Sequence, residues 1–374
     1  MSIEQKEFGR LPDGRAVELF TFKNRKGCSV SFITYGGIIT SMITPDRDGK
    51  FGNITLCCAT LDEYLRNDIP YFGSIIGRVA NRIGNAKFTL DDKEYVLAKN
   101  DGEHHLHGGP TGWSTRLWNV HCVCEGIGMD TVVLHYHSPD GEENYPGAVD
   151  AYVQYSLDDH NDFRIEYRAT TDKATPINMT NHAYFNMTGE ARDVQSHILT
   201  IRAKHYTPVT DALIPDGTIV PVKDTPYDFT IPKYIGRSIV DGLVAGYDHN
   251  YVLEKNYPTI YGERGPDLKM QMHFSYEHNN PPKDLLARAA WLQDIDTGRT
   301  LETLTDAPAI QFYTGNFLDG SFRGPGGGTW NKHFGFCLET QGFPDAINRP
   351  EFPSIVLRPG EVYRHTTIYR FGVA

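Results

Sequence analysis

Along this chain an alternation of period two recurs, and no sustained helical period competes with it. Phe163, Ile165, Tyr167 and Ala169 fall on one side of an extended segment, while Arg164, Glu166, Arg168 and Thr170 fall on the other. A strand turns successive side chains to opposite faces, so the segment reads as a half-buried β-strand. Val149, Ala151, Val153 and Tyr155 repeat the pattern one segment earlier, implying consecutive antiparallel strands. Asp-Gly pairs at 13, 48, 101, 140, 216, 241 and 319 punctuate the chain, each able to supply the positive φ of a tight turn. Arg358-Pro359-Gly360-Glu361 predicts a C-terminal hairpin. Helical spacing is confined to a turn or two near 61–65 and 235–239. No repeat of fixed period points to a propeller or a parallel β-helix. The expected class is all-β, a large antiparallel β-sandwich.

Of the 374 residues 40% are apolar and 22% charged, enough for a large core and far from disordered compositions. No charge run or Ser/Gly linker divides the sequence, so residues 1–374 are read as a single domain. Residues 257–284 break the strand rhythm with polar, Pro-rich sequence and are read as an insertion leading into the strand that carries Gln311. The net charge of -11 disfavours nucleic acid and anionic membrane surfaces as partners and leaves a small neutral ligand as the better fit. A monomer or weak dimer is expected. Residues 1–20 lack the features of a signal peptide and no run approaches the ~20 apolar residues of a membrane span, so the expected location is cytoplasmic. Six cysteines without zinc-type spacing read as reduced, buried thiols. Sequons at Asn53, Asn178 and Asn186 would matter only in a secreted chain.

Several motifs lead nowhere. Gly324-Pro325-Gly326-Gly327-Gly328 lacks the Gly-Lys-Ser/Thr of a phosphate loop, and no G-x-S-x-G elbow is present. His105 and His107 would share one side of a strand, but glycines follow them where a metal site wants a carboxylate. Neither a metal nor a cofactor is expected.

Four separated segments mix hydrogen-bonding side chains with flat rings: 77–83, 105–109, 178–186 and 335–341. That mixture suits a sugar, whose hydroxyl edge wants Asn, Arg, Asp and Gln and whose C–H face wants an aromatic surface. Glu339 is the most informative residue, because Phe336, Cys337 and Leu338 precede it in what reads as a buried strand, and buried carboxylates are seldom casual. Each candidate also has a plainer reading: an ion pair for Glu339 and Arg82, a satisfied core histidine for His182, a turn residue for Asp248.

Together with Tyr247-Asp248-His249-Asn250 and Gln311-Phe312-Tyr313-Thr314-Gly315-Asn316-Phe317, these segments resemble the aldose 1-epimerase (galactose mutarotase) family over about 9–369. The resemblance implies the family's galactose mutarotase-like supersandwich with the sugar in an open cleft. It implies Glu339 as general base, His182 as general acid and His107 as a second histidine near the ring oxygen. Asn81, Arg82, Tyr184, Asp248 and Gln311 would bind the sugar. Two departures stand out: the insertion is longer than usual in the family, and Met179 and Met187 stand where leucine is commoner. Mutarotation then needs a carboxylate near its ordinary pKa and a histidine near or above 6.5. The alternatives are a sugar sensor without catalysis, an epimerase of phosphorylated hexoses, and a glycoside hydrolase, which needs a second carboxylate near Glu339.

Overall fold

The computed structural model describes residues 2–66, 68–126, 129–254 and 286–374. Its strands are arranged mainly in three antiparallel sheets. The largest has nine strands, in the order Asn119–Cys124, Met129–Ser138, Val149–Asp158, Asp162–Thr171, Tyr363–Val373, Arg299–Thr305, Ala287–Gln293, Ile198–Ile201 and Lys233–Tyr234. A five-stranded sheet is formed by Ser2–Arg10, Ala16–Lys23, Ser29–Ile33, Ile39–Pro45 and Phe51–Asn53. The third has six strands, ordered Tyr184–Phe185, Phe336–Gln341, Ala309–Tyr313, Asp248–Val252, His205–Thr207 and Val220–Pro221.

The alternation in sequence becomes the core of this sandwich. Phe163, Ile165, Tyr167 and Ala169 are buried, as are Val149, Ala151, Val153 and Tyr155 on the neighbouring strand. One hydrophobic cluster joins these side chains to Phe20, Phe22 and Phe32 of the five-stranded sheet and to Ile310, Phe312, Phe336 and Leu338 of the six-stranded one. Met179 and Met187 are fully buried in the same cluster, as a near-neutral exchange for leucine allows. The glycines of all seven Asp-Gly pairs have positive φ, between 58° and 97°. Short helices occupy Leu61–Tyr64 and Arg237–Val240, where helical spacing is found.

Three expectations need correction. The Arg358–Glu361 turn forms, with Glu361 N–H donating to Arg358 O at 3.0 Å, but its flanks do not pair with each other. Val356–Leu357 pairs with Thr175–Pro176, while Tyr363–Val373 lies between Asp162–Thr171 and Arg299–Thr305. A local turn signal does not choose between distant partners that bury more apolar surface. Cys122 and Cys124 are only half-buried, although all six cysteines are free. The insertion at 257–284 lies outside the described residues, and the strand after it, Ala287–Gln293, belongs to the nine-stranded sheet rather than carrying Gln311.

Candidate active site

The six-stranded sheet has two unlike faces. Phe336, Leu338, Ile310, Phe312 and Tyr251 point into the main core, and period two sends Cys337, Glu339, Gln341, Gln311, Tyr313, Asp248 and Asn250 to the other side. Register lines these up: Glu339 stands opposite Gln311 and Gln311 opposite Asn250, while Cys337 lies between Tyr184 and Tyr313. Glu339 is 2% exposed. Among the described residues, buried side-chain atoms left without a hydrogen-bond partner include Glu339 Oε2, Gln311 Oε1, Asn250 Oδ1 and both amide atoms of Gln341. Buried polar atoms are normally satisfied, so such a group on one face of one sheet marks a surface built for something else to complete.

His182 reaches this face from the segment Thr180–Asn181, held by Gly73 N–H donating to His182 O and His182 N–H donating to Ser74 O, both at 2.9 Å. Its Nε2 lies 3.6 Å from Glu339 Oε1 and its Nδ1 lies 3.5 Å from Cys337 Sγ. The Tyr184 ring stacks on it at 5.0 Å and Tyr71 at 5.9 Å.

His107 comes in from the opposite wall, its ring 5.2 Å from that of His182 and nearly perpendicular to it. His107 has φ 52°, so the chain leaves the short strand His105–Leu106 in a left-handed turn. His105 and His107 therefore part: His105 turns to Ala98 O at 2.7 Å and the Tyr145 ring, and the expected common face does not exist. The loop can lie this close because residue 108 is glycine. A Cβ there would sit 1.9 Å from Gly77 O. Asn81 N–H donates to His107 Nδ1 at 3.2 Å and Asn81 O accepts from His107 N–H at 3.1 Å. A donor on Nδ1 puts the proton of the neutral ring on Nε2. Burial, with His182 next, pushes His107 well below its ordinary pKa, so the neutral form holds.

Arg82 closes the third side. It donates to Asp101 Oδ2 at 2.6 Å and lies 3.7 Å from Asp248 Oδ2, while Gln311 Nε2 donates to Asp248 Oδ1 at 2.6 Å. Asp248 opens the strand Asp248–Val252 and is not a turn residue. Burial raises its pKa, against the opposing pull of Arg82 and Gln311. Arg78, four residues before Arg82, is spent elsewhere: it is 2% exposed and donates to Ser138 Oγ and to the carbonyls of Pro139 and Pro146.

All eight residues singled out in the sequence thus meet at one place. Sequence reasoning missed Asp101, Tyr71 and Cys337 as their partners. Asp101 belongs to an Asp-Gly pair and Cys337 precedes Glu339 by two, which is one face of a strand. Tyr71 carries no signal, because φ 60° and a long-range fold put it there.

The expected ionisation is reversed. Burial pushes His182 down to about 4, and burial followed by Asp248 pushes Glu339 well above its ordinary value, with Arg82 opposing. Two buried groups 3.6 Å apart are best treated as one unit holding one proton.

Comparison with known proteins decides what this arrangement belongs to. The sequence profile described as Aldose 1-epimerase matches residues 18–370. The chain belongs to the aldose 1-epimerase family. It is 40% identical over 376 aligned residues to the galactose mutarotase of Rattus norvegicus, covering 100% of both chains. It is 36% identical to the aldose 1-epimerase of Escherichia coli K12, covering 96% of each. A solved structure of galactose 1-epimerase from Lactobacillus acidophilus superposes with TM-score 0.81 at 25% identity, covering 100% of this chain and 99% of that one. A galactose mutarotase/aldose epimerase homologue from C. elegans gives 0.79 at 27%, covering 95% and 98%. Among the described residues no helix of this epimerase is long and apolar enough to cross a membrane.

Proposed function

We propose that residues 1–374 form one domain that interconverts the α and β anomers of free hexoses such as galactose and glucose, with Glu339 and His182 moving the protons. What carries this reading is the row of open polar atoms on the face that bears the His182–Glu339 pair. Glu339 Oε2, Gln311 Oε1 and Asn250 Oδ1 are acceptors waiting for hydroxyl donors, and Tyr184 and Tyr71 supply flat surface for a C–H face.

In the reaction Glu339 removes the proton of the anomeric hydroxyl as His182 gives one to the ring oxygen. The C1–O5 bond breaks and an aldehyde forms. Rotation about C1–C2 presents the other face, and the same two groups close the ring in reverse. The starting state requires the pair's one proton on His182. Burial alone favours it on Glu339, but a sugar hydroxyl donating to Oε2 stabilises the carboxylate and draws the proton across. The proton count does not change. His107, carrying its proton on Nε2, adds a neutral donor beside His182, and Arg82 with Asp248 and Gln311 orients the ring hydroxyls. Each proton transfer contributes about 10²–10⁴-fold, sufficient for a reaction that already proceeds in water.

A phosphorylated sugar fits less well: Arg82 is shared by Asp101 and Asp248 and has little charge left for a phosphate. Polarimetry of freshly dissolved α-galactose, α-glucose and α-xylose with pure protein tests the proposal. Accelerated mutarotation is expected, and binding of sugar without acceleration would leave a sensor instead.

A further inference from the structure

His182, Cys337 and Glu339 are more than a pair with a neighbour. One ligand atom from each can be chosen so that all three lie within 4.8 Å of one another, and all three residues are buried. The Cys337 Sγ to His182 Nδ1 separation is 3.5 Å. In a tetrahedral zinc site, with Zn–S ~2.3 Å and Zn–N ~2.0 Å, sulfur and nitrogen sit about 3.5 Å apart, so this edge is already set. Glu339 meets the other ring nitrogen, Nε2, through Oε1 at 3.6 Å, so an ion held by Nδ1 and Sγ needs the carboxyl to swing its unpartnered Oε2 round to the Nδ1 side.

Charge favours the same occupant. A thiolate and a carboxylate cancel a divalent cation, and the neutral imidazole adds nothing. A buried complex of no net charge avoids most of the desolvation cost that an isolated ion would carry. Donor type narrows the class: one sulfur and one nitrogen suit zinc-like ions, whereas Mg²⁺ and Ca²⁺ want oxygen throughout. Three protein ligands leave a fourth position for water, as in open zinc sites.

We propose that Cys337 joins the His182–Glu339 pair in a chelating site for one borderline-soft divalent cation, of which Zn²⁺ is the type, and that its occupancy shuts the enzyme off. Binding ties up the base and the acid together, while the thiol and carboxyl protons leave to solvent. The inhibitory half of the proposal rests on the reading of the pair as the proton-moving unit. The binding half does not.

The test uses the full chain in a non-chelating buffer with ZnCl₂ and, as a coloured probe, CoCl₂. One equivalent of zinc should inhibit mutarotation competitively with galactose, and chelator should restore the full rate. Cobalt should give a thiolate-to-metal charge-transfer band. Cys337→Ser should weaken zinc inhibition by about 100-fold or more, each variant being scaled to its own zinc-free rate, and should abolish the band. Glu339→Gln, followed by the band alone, should weaken cobalt binding as well. His137→Asn, at the separate cluster where His135 and His137 both meet Asp150, should leave inhibition as in the unaltered protein. Zinc inhibition that Cys337→Ser does not change, or that galactose does not relieve, would overturn the site, as would a cobalt complex without the band. If the unaltered protein fails to mutarotate without zinc, the proposed function falls, and the cobalt band still decides the site.

Discussion

The two faces of the six-stranded sheet come from the same strands and are equally removed from water, yet they are chemically opposite. On one, Phe336, Leu338 and Phe312 interlock with the main core and contribute stability through apolar area. On the other, Glu339, Gln311 and Asn250 are buried with open hydrogen-bonding atoms, which costs stability. A fold that only needed to persist would fill the second face like the first. The difference shows where this chain trades stability for a ligand, and residues one apart in sequence should therefore fail in different ways.

The largest contrast is between Glu339 and Leu338. Glu339→Gln keeps size and hydrogen bonding but removes the base, so turnover should fall by about 10²-fold or more with sugar binding retained. His182→Asn should behave likewise, and the double variant should be scarcely worse than the poorer single one, because residues acting as a unit are not additive. Leu338→Ala should instead lower stability by about 2–5 kcal/mol in denaturant unfolding, with near-normal turnover per folded molecule. Near-normal mutarotation by a folded Glu339→Gln would erase the contrast and return the sensor reading.

A smaller effect is expected at the rim of the polar face. Asp248→Asn keeps the contact with Gln311 but loses the charge that faces Arg82, 3.7 Å away. KM should rise about tenfold while kcat changes less, since orientation is lost and the proton donors are not. A fall in kcat equal to that of Glu339→Gln would place Asp248 in the chemistry.

Much of this was legible in the sequence, for local reasons. Period two states which side chains share a face, so the burial of Phe163 to Ala169 and the grouping of Cys337 with Glu339 follow from spacing alone. Asp-Gly states a positive φ. What spacing cannot state is which distant segment will face a given side chain. Arg78 and Arg82 stand in one motif, and only the fold gives the first to Ser138 and two carbonyls and the second to Asp101 and Asp248. The Arg358–Glu361 turn was readable, but its flanking strands were not, because their partners lie elsewhere in the chain. His107 escaped the strand pattern through one left-handed residue. The ionisation of the pair is not legible in spacing, because the desolvation that both groups undergo is set by their burial in the fold.

The shifted ionisation yields the mildest and most discriminating prediction, the pH profile. With ordinary values, the one-proton state of a glutamate and a histidine would exist only between roughly 4.5 and 6.5, and activity would fade on passing neutrality. Burial moves the limits outward. The pair gains its second proton only as His182 titrates, pushed down to about 4, and loses its single proton only as Glu339 ionises, from well above its usual value. The kcat/KM profile of the free enzyme should therefore be flat through pH 6.5, with its acid limb below pH 5 and its alkaline limb set by Glu339. Folding must be followed alongside. His197 and His249 are also held down to about 4 by burial, so between 6.5 and 4 the unfolded chain binds more protons than the folded one and stability falls as pH falls. Circular dichroism across the same range separates that loss from the acid limb. A kcat/KM that already declines at pH 6.5 in fully folded protein would mean an ordinary solvated histidine at position 182, and the polar face would then be an open surface instead of a buried site.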